Sequence, residues 1–447
     1  MRMLRKESKA YGLLGQGLLK NTDKVVTTCY ALDVFSPSTY LCTTSVEKTP
    51  SDFLYLHLKQ NFGTERFRPF FQRMIIMILK NAIIIDENFE ETKKDIEIEN
   101  GVITKISDSL SGDDEIDFSG KKILPGFVDI HIHGANDGDL SDAKRESLDR
   151  MSSYLASKGV TSFCPASMTL PFEQLCEQFK AVEEYKGSES GAYIHGINME
   201  GPYIAMSKKG AQCGDYVRSA DIEEFRKLNT ISKICLVDVA PETENALEFA
   251  KEASKTCTVS IAHTAATYEE ATAGLCSGFS HATHLYNAMP PIKNREPGAV
   301  TAIFDSDTAT AELICDGFHN HPAILRTAFK ILGEDRAVVV SDSMRAAGGE
   351  DGEFVLGGQT VYVRDGKARL SDGTIAASTS NLHEEFLNLL SFGIPFKKAL
   401  KACTANPARV IGVYDKTGSI SIGKSADLLV LNEDLSINTV FIKGNKQ

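Results

Sequence analysis

Histidines and carboxylates recur in this sequence where short apolar segments, predicted to be buried strands, come to an end. The residues that share this position are His131, His133, Glu200, His263, His281, His284, Asp316, His319 and Asp342. A single histidine at the end of a strand is usually a turn or core residue. Six of them at the same end of successive strands indicate instead a common centre, and imidazole with carboxylate is a ligand set for a divalent metal ion.

Two groups of these residues could bind metal. His131 and His133 are two residues apart, so their side chains point to the same face of a strand and could share one ion. Glu200, His263 and His284 would supply three protein ligands and leave one coordination position for water. An open position of this kind distinguishes a catalytic zinc-type site from a structural one.

The elements that must position these residues alternate between apolar strands and amphipathic helices such as "FEQLCEQFKAVEEY". The predicted strands are "GFVDIHIH", "TSFCPAS", "YIHGINME", "KICLVDVAPE", "TVSIAHT", "SHATHLYN", "AELICDGFH" and "AVVVSDS". Eight strands, most of them followed by a helix, predict an α/β fold with a closed (β/α)8 TIM-type barrel. In such a barrel the active site lies at the C-terminal ends of the strands, where these histidines and carboxylates fall.

The segments outside the barrel alternate apolar and polar residues, which is typical of antiparallel strands. We expect a small discontinuous β-sandwich domain whose strands come from both sides of the barrel sequence. The predicted boundaries are an N-terminal extension at 1–73, the first part of the β domain at 77–125, the barrel at 126–370, the last barrel helices at 371–410 and the second part of the β domain at 411–447. The extension has neither a clean helical period nor a cleavage site, so we expect an atypical segment, disordered or over-extended, rather than a targeting leader.

The composition excludes several classes of function. With 48 basic against 60 acidic residues the net charge is -12, which argues against a general nucleic-acid or anionic-membrane binder. The 10 cysteines contain no C-x-x-C pair, so neither a zinc ribbon nor a disulfide framework is predicted, and a reducing cytoplasm fits best. The most apolar window, "MIIMILKNAIII", is too short to span a bilayer.

Seven segments resemble known proteins. "LPGFVDIHIHG" resembles the first-strand signature of the amidohydrolase superfamily. "NMEGPYI", "KKGAQ", "AHTAAT", "HATHLYNAMPPIKNREPG", "CDGFH" and "VSDSM" together resemble the N-acetylglucosamine-6-phosphate deacetylase family within it. The resemblance extends from about Met77 to the C-terminus, and the "HATHLYNAMPPIKNREPG" block is its most specific part.

This resemblance implies a role for each matching position. Glu200, His263 and His284 match the metal ligands of the family, and Asp342 matches its catalytic carboxylate. His131 and His133 match a pair that some members use for a second ion, so one or two divalent ions per subunit, Zn²⁺ or Fe²⁺, are expected. The implied substrate-binding residues are Gln212, Asn287, Ala288, Arg295 and His319.

The implied reaction is hydrolysis of N-acetyl-D-glucosamine 6-phosphate by a metal-activated water, with Asp342 as general base and then general acid. A homodimer and a cytoplasmic location are also implied. Two alternatives stay open: another metal-dependent amidohydrolase of the cyclic-amidase or deaminase type, and a catalytically silent protein that only binds a sugar phosphate. Gln212 departs from the family pattern, because several relatives have histidine there. The remaining histidines, His57, His195, His321 and His383, are expected to be structural.

Overall fold

The computed structural model describes residues 76–447 throughout and three short strands before them. The chain divides into two compact units, Met1–Met74 and Ile75–Gln447. In the first unit, strands β1 (Lys20–Thr22), β2 (Val25–Ala31) and β3 (Tyr40–Thr44) form an antiparallel sheet in that order. The rest of the predicted N-terminal extension, and His57 with it, lies outside the described residues.

The second unit contains both predicted parts of the molecule. Its strands are β4 (Ile76–Lys80), β5 (Ile83–Ile85), β6 (Glu91–Lys93), β7 (Asp95–Glu99), β8 (Val102–Ser107), β9 (Glu115–Asp117), β10 (Lys122–Pro125), β11 (Phe127–Ile132), β12 (Gly134–Ala135), β13 (Gly138–Asp139), β14 (Val160–Pro165), β15 (Tyr193–Ile194), β16 (Ile197–Glu200), β17 (Ile234–Val239), β18 (Thr258–Ile261), β19 (Phe279–Ala282), β20 (Thr310–Leu313), β21 (Ala337–Val339), β22 (Gly352–Leu356), β23 (Gln359–Arg364), β24 (Lys367–Arg369), β25 (Leu428–Leu431), β26 (Ile437–Ile442) and β27 (Asn445–Lys446).

Ten α-helices are described in this unit, and most of them follow a strand of the parallel sheets. They are α1 (Arg145–Ser157), α2 (Phe172–Tyr185), α3 (Ile222–Ile231), α4 (Ala246–Ala253), α5 (Tyr268–Cys276), α6 (Gly298–Asp305), α7 (Pro322–Leu332), α8 (Leu382–Ser391), α9 (Phe396–Cys403) and α10 (Ala405–Val410). Short 3₁₀ helices occupy Leu140–Asp142, Met206–Lys208 and Gly214–Tyr216.

The strands that carry the predicted site are parallel and follow one another in chain order. They form a three-stranded sheet, β11-β14-β15, and a six-stranded sheet, β16-β17-β18-β19-β20-β21. Every residue of β11, β14, β16 and β17 is buried, as in a parallel sheet covered on both faces, and apolar residues are interrupted there by buried polar ones. The predicted α/β class and the parallel order of the strands are therefore confirmed.

The third predicted strand, "YIHGINME", was expected to be continuous, and this was wrong. It is divided into β15, which pairs with β14, and β16, which pairs with β17. The division falls at Gly196, where an added Cβ would lie 2.6 Å from the carbonyl oxygen of Lys233 and 2.6 Å from Cys235 Sγ. The regular strand is interrupted at this close approach, and only glycine leaves room for it.

The sequence before and after the parallel strands forms two further sheets. The strand orders are β27-β26-β25-β10-β5-β6 and β8-β7-β4-β9. The expected pairing of the C-terminal tail with the sheet made before the parallel strands is confirmed, because β25 pairs antiparallel with β10 from Lys122↔Leu431 to Pro125↔Leu428. Both sheets contribute to one apolar cluster that includes Leu79, Ile84, Ile96, Ile98, Ile123, Leu428, Val430 and Phe441.

A three-stranded antiparallel sheet, β22-β23-β24, lies within the span that was expected to be barrel alone. Its two-residue turns, Gly357–Gly358 and Asp365–Gly366, have positive φ at all four positions, as type I′ hairpins require. Leu356 at the end of β22 belongs to the same apolar cluster as Met168, and both line the cavity described below. The sequence analysis missed this sheet, which brings apolar side chains over the site.

None of the helices in residues 76–447 combines the length and apolarity that a membrane span needs. The cysteines of the same part of the chain are all free thiols.

Candidate active site

The ends of five strands place the six predicted metal-binding and catalytic side chains in one buried cluster. His131 lies in β11 and His133 follows it, while Glu200 is the last residue of β16. His263, His284 and Asp342 lie two or three residues beyond the ends of β18, β19 and β21. All six side chains are buried.

The first set of candidate ligands is centred on one carboxylate oxygen. Glu200 Oε1 lies 3.0 Å from His263 Nε2 and 3.1 Å from His284 Nε2. The two Nε2 atoms are 3.2 Å apart. These three residues offer one ligand atom each within the span of a single ion.

The second set shares Glu200 with the first. His133 Nε2 lies 3.3 Å from Glu200 Oε2 and 3.4 Å from Asp342 Oδ1. His131 Nε2 is 3.7 Å from Glu200 Oε1 and 3.7 Å from Asp342 Oδ1. His131, His133 and Glu200 form a second group that could hold a metal ion, and Asp342 borders it.

Hydrogen bonds on the far side of the imidazoles test whether these residues suit a cation. The Nδ1 atom of His131 donates to Glu312 Oε2 at 2.9 Å, that of His133 to the Ala166 carbonyl at 3.2 Å, and that of His263 to the Lys208 carbonyl at 2.8 Å. Because carboxylates and carbonyls only accept, the proton of each neutral ring is on Nδ1 and the Nε2 lone pair faces the carboxylates.

This arrangement is typical of metal-binding histidines, whose second nitrogen is held by an acceptor. His131 Nε2 is buried and makes no hydrogen bond to any described residue. Converging lone pairs beside a carboxylate repel one another unless positive charge lies between them. The residues therefore fit a divalent cation.

The electrostatics of the cluster also favour positive charge at its centre. Burial opposes protonation of His133, but the carboxylates of Asp342 and Glu200 raise its pKa to about 10. Burial likewise disfavours the charged form of Glu200, yet the imidazoles of His133, His263 and His284 around its carboxylate hold its pKa well below the usual range. Against the same burial, His131 and His133 lower the pKa of Asp342. Both carboxylates are ionised at neutral pH.

The backbone turns sharply where it delivers three of these side chains. His263, His284 and Asp342 have φ of 43°, 29° and 45°. L-residues rarely adopt this left-handed region, and each such residue costs on the order of 1 kcal/mol or more. The chain therefore adopts an unfavourable backbone conformation beyond the ends of β18, β19 and β21, where it places these three side chains in the cluster.

A cavity of about 430 Å³ opens onto the cluster. His133, Glu200, His263, His284 and Asp342 line one part of it, and four of the five predicted substrate-binding residues, Gln212, Asn287, Ala288 and His319, line it as well. The fifth, Arg295, is exposed and does not line the cavity. The apolar part of the wall includes Met168, Leu356 and Ile375.

Two of the polar residues of the wall are held rigidly. Gln212 donates from Nε2 to Glu200 Oε2 and accepts at Oε1 from the backbone N–H of Thr169 at 2.6 Å. His319 donates from Nδ1 to Asp316 Oδ2 at 2.7 Å, while Asp316 Oδ1 also accepts from the backbone N–H of Phe318. His319 therefore keeps Nε2 for another partner.

The remaining histidines of the described chain lie elsewhere. His281 was counted among the converging histidines, but it bonds to Thr310 Oγ1 and Glu312 Oε1 behind the cluster rather than joining either candidate metal set. His195 makes an edge-to-face contact with Tyr193, His321 caps α7 by accepting from Ala323 N, and His383 bonds to the Leu435 carbonyl.

The sequence analysis missed Glu312, the buried carboxylate behind His131. A signal for it exists, because a glutamate in the apolar strand segment "TAELI" is rarely buried without a partner. The site residues were predicted from their positions at the ends of strands, whereas Glu312 lies within a strand.

Such a site on parallel strands is that of an amidohydrolase: the profile of the Amidohydrolase family matches residues 123–446, and the chain belongs to that family. N-acetylglucosamine-6-phosphate deacetylase of Bacillus subtilis (strain 168) is 33% identical over 83% of this chain and 96% of its own length. A crystal structure of N-acetylglucosamine-6-phosphate deacetylase from Pasteurella multocida covers 83% of this chain and 100% of its own, with a TM-score of 0.79 and 30% identity. N-acetylgalactosamine-6-phosphate deacetylase of Escherichia coli O157:H7 is 31% identical over 72% of this chain and 86% of its own.

Proposed function

We propose that this chain is a metal-dependent deacetylase that hydrolyses N-acetyl-D-glucosamine 6-phosphate to D-glucosamine 6-phosphate and acetate. The observation that carries the proposal is the meeting of Glu200, His263, His284 and Asp342 at one cavity. The three relatives compared above, each at least 30% identical to this chain, are deacetylases of amino-sugar phosphates.

The cation would be held first by Glu200, His263 and His284. His131 and His133, together with Glu200, would hold a second one. A mixed carboxylate and imidazole set suits Zn²⁺ or Fe²⁺. When bound, such a cation lowers the pKa of water and polarises a carbonyl oxygen.

Asp342 is the proposed general base and acid. Its ionised carboxylate accepts a proton as the water oxygen bonds to the acetyl carbon. The same carboxyl then gives that proton to the amide nitrogen as the C–N bond breaks, because an amine cannot leave as an anion. The protons balance with Asp342 returned to its ionised state: acetic acid and a neutral amine form, and the proton of the acid then passes to the amine or to solvent, which leaves acetate.

The substrate would be held by residues of the cavity wall. Asn287, the backbone of Ala288 and His319 would bind the sugar phosphate, and Gln212 would face the sugar from beside Glu200. A cavity of about 430 Å³ is within the range of small-molecule sites. His319 is fixed through Nδ1 by Asp316, and the imidazolium form of its ring would donate from Nε2 to a phosphate oxygen.

Arg295 would serve the phosphate of a neighbouring subunit in a homodimer. This part of the proposal is supported by its exposure, by its absence from the wall of its own cavity, and by Ile292, an apolar side chain 52% exposed in the same loop. An exposed isoleucine beside an arginine head that makes no ion pair with the described residues suits an interface that a second copy covers.

We also infer a closed (β/α)8 barrel and a two-sheet β-sandwich. Closure is supported by hydrogen bonds between the chain after β21 and β11, in which Asp342 N donates to the His131 carbonyl at 2.9 Å and His133 N to the Ser343 carbonyl at 2.9 Å. The shared apolar cluster of the two outer sheets supports the sandwich. Free thiols throughout the described chain support a reducing, cytoplasmic location.

Acetate release by the purified protein tests this function. We expect release from N-acetylglucosamine 6-phosphate, much slower release from unphosphorylated N-acetylglucosamine, and loss of both after chelation. Elemental analysis of the same sample identifies the ion. Equal rates on the two sugars would contradict the phosphate contacts, whereas binding without release would favour the catalytically silent alternative. N-acetylgalactosamine 6-phosphate, assayed alongside, measures tolerance at the sugar ring.

A further inference from the structure

Glu312 is a fully buried carboxylate behind the cluster of candidate metal-binding residues. It lies in β20 and is 0% exposed. Its Oε2 atom accepts from His131 Nδ1 at 2.9 Å and from the backbone N–H of His284 at 3.1 Å, and its Oε1 atom lies 3.3 Å from His281 Nε2. No lysine or arginine of the described chain forms an ion pair with it.

A carboxylate in this position is costly without these hydrogen bonds, since burial of an unpaired charge is among the most unfavourable events in folding. An apolar residue would pack in a strand interior at no such cost. Glu312 does not line the cavity, so it touches neither a bound substrate nor a water there. What distinguishes it from an apolar residue is the set of donors that it holds.

We propose that Glu312 is a positioning residue that makes His131 a cation ligand, by holding the Nδ1–H group of His131 so that Nε2 faces Glu200 and Asp342. His133 and His263 are oriented by backbone carbonyls, which mutation cannot remove. His131 is oriented by a side chain instead. Its ligand function therefore depends on one replaceable residue.

The effect is expected to differ between the two candidate cation sets. Glu312 reaches the His131 ring itself, but it reaches His284 only through the backbone, and the His284 ring belongs to the set completed by Glu200 and His263. Loss of the Glu312 acceptor frees the His131 ring to rotate or to exchange its tautomer. The set of His131, His133 and Glu200 therefore loses more affinity than the other.

The inference rests on the proposed function only for the divalent cation. The experiment measures Zn²⁺ binding to the full chain, stripped with a chelator, by isothermal titration and elemental analysis. Glu312→Met keeps the length of the side chain and removes the acceptor, and Glu312→Gln keeps an acceptor without the charge. Glu385→Met makes the same change at another fully buried glutamate, which bonds to Cys315 N and Ser380 Oγ away from the cluster.

We expect two Zn²⁺ ions per wild-type chain. Glu312→Met should weaken one of them about 10- to 100-fold and the other by less than about threefold, while Glu312→Gln should weaken the same ion about three- to tenfold. Glu385→Met should bind both ions as the wild type does. In a His131→Gln background, Glu312→Met should have no further effect, because the two residues act through one ligand.

One Zn²⁺ ion in the wild type, wild-type affinity for both ions in Glu312→Met, or an undiminished effect in the His131→Gln background would each overturn the inference. The ion that stays bound reports that the variant is folded. If Glu312→Met does not fold, Glu312→Gln decides, and unchanged affinity there overturns the inference. Acetate release by the wild type tests the proposed function separately. If the chain binds two ions in this way but releases no acetate, the proposed function is wrong and the inference about Glu312 still holds.

Discussion

Asp342 approaches His133 across the candidate site, with Oδ1 of Asp342 3.4 Å from Nε2 of His133. The carboxylate is buried, bordered by both imidazoles of the second set, and exposed to the cavity. A base needs this combination of access to substrate and ionisation at neutral pH.

Replacement of Asp342 by Asn should therefore lower the turnover number for acetate release by about 100- to 10,000-fold. Asn keeps the shape of the side chain and tolerates the left-handed backbone, but it cannot accept the proton. Asp365→Asn is the matched control, because Asp365 also has a left-handed φ, of 51°, and is exposed on a hairpin turn. The assignment of the base is wrong if Asp342→Asn releases acetate at the rate of Asp365→Asn.

Gln212 connects two parts of the site, and its loss should affect both stability and catalysis. In Gln212→Leu the backbone N–H of Thr169 loses its acceptor and Glu200 loses a donor, so we expect the free energy of unfolding to fall by about 1–3 kcal/mol. Acetate release at low substrate concentration should fall as well. Urea unfolding and steady-state kinetics measure the two effects.

Gln178→Leu is the control for this prediction. Gln178 is equally buried, but its Oε1 atom has no hydrogen-bond partner among the described residues. The same substitution should therefore cost less there. An equal or larger loss of stability in Gln178→Leu would show that the hydrogen bonds of Gln212 contribute little.

Much of the candidate site could be predicted from the sequence, because the parallel strands are rich in apolar residues and histidines and carboxylates recur where these segments end. Glu200, His263 and Asp342 stand at such ends. The polar layer behind the ligands could not be located in the same way. The role of Glu312 is identified only in the folded chain, which brings its side chain to that of His131, a residue far away in sequence.

Three other features were not predicted: the break in the third strand, the hairpin of β22 and β23, and the position of Arg295. The break in the third strand follows from the packing of Gly196 on the next strand, which no local pattern reveals. Strands β22 and β23 had a signal, because alternating residues flank the Gly357–Gly358 pair. The position of Arg295 depends on a long loop, and spacing alone did not fix it.

Gly134, directly after His133, should not tolerate a side chain. An added Cβ would lie 2.4 Å from the Gly138 carbonyl oxygen and 2.8 Å from Arg345 N, and neither backbone atom can move aside cheaply. Gly134→Ala should lower the free energy of unfolding by about 1–3 kcal/mol and weaken Zn²⁺ binding, because His133 must shift. Thermal unfolding and zinc titration measure these effects.

Gly349→Ala provides the comparison for Gly134→Ala. Gly349 lies in the same stretch of chain after Asp342, and an added Cβ there would meet only the Ala346 carbonyl oxygen, at 3.3 Å. We expect a smaller loss of stability and unchanged zinc binding. Equal behaviour of the two variants would mean that the close packing behind His133 does not hold the metal set in place.

His195 should make the protein less stable in acid. Its Nε2 atom is buried without a partner among the described residues, and burial together with the positive charges of Lys233, Lys416 and Lys443 lowers its pKa from 6.5 to about 3. Below pH 6.5 the unfolded chain binds a proton that the folded chain does not. This contribution to stability is therefore complete above pH 6.5 and is lost progressively as the pH falls toward 3.

Urea unfolding of the wild type and of His195→Gln at pH 7.5 and pH 5.5 tests this linkage. Glutamine does not titrate, so between these two pH values the wild type should lose about 1 kcal/mol more stability than the variant, the equivalent of roughly one pH unit below 6.5. Titration of the metal-binding histidines affects both proteins alike and cancels in the difference. An identical pH dependence in the two proteins would show that His195 binds its proton equally well in the folded and unfolded chains.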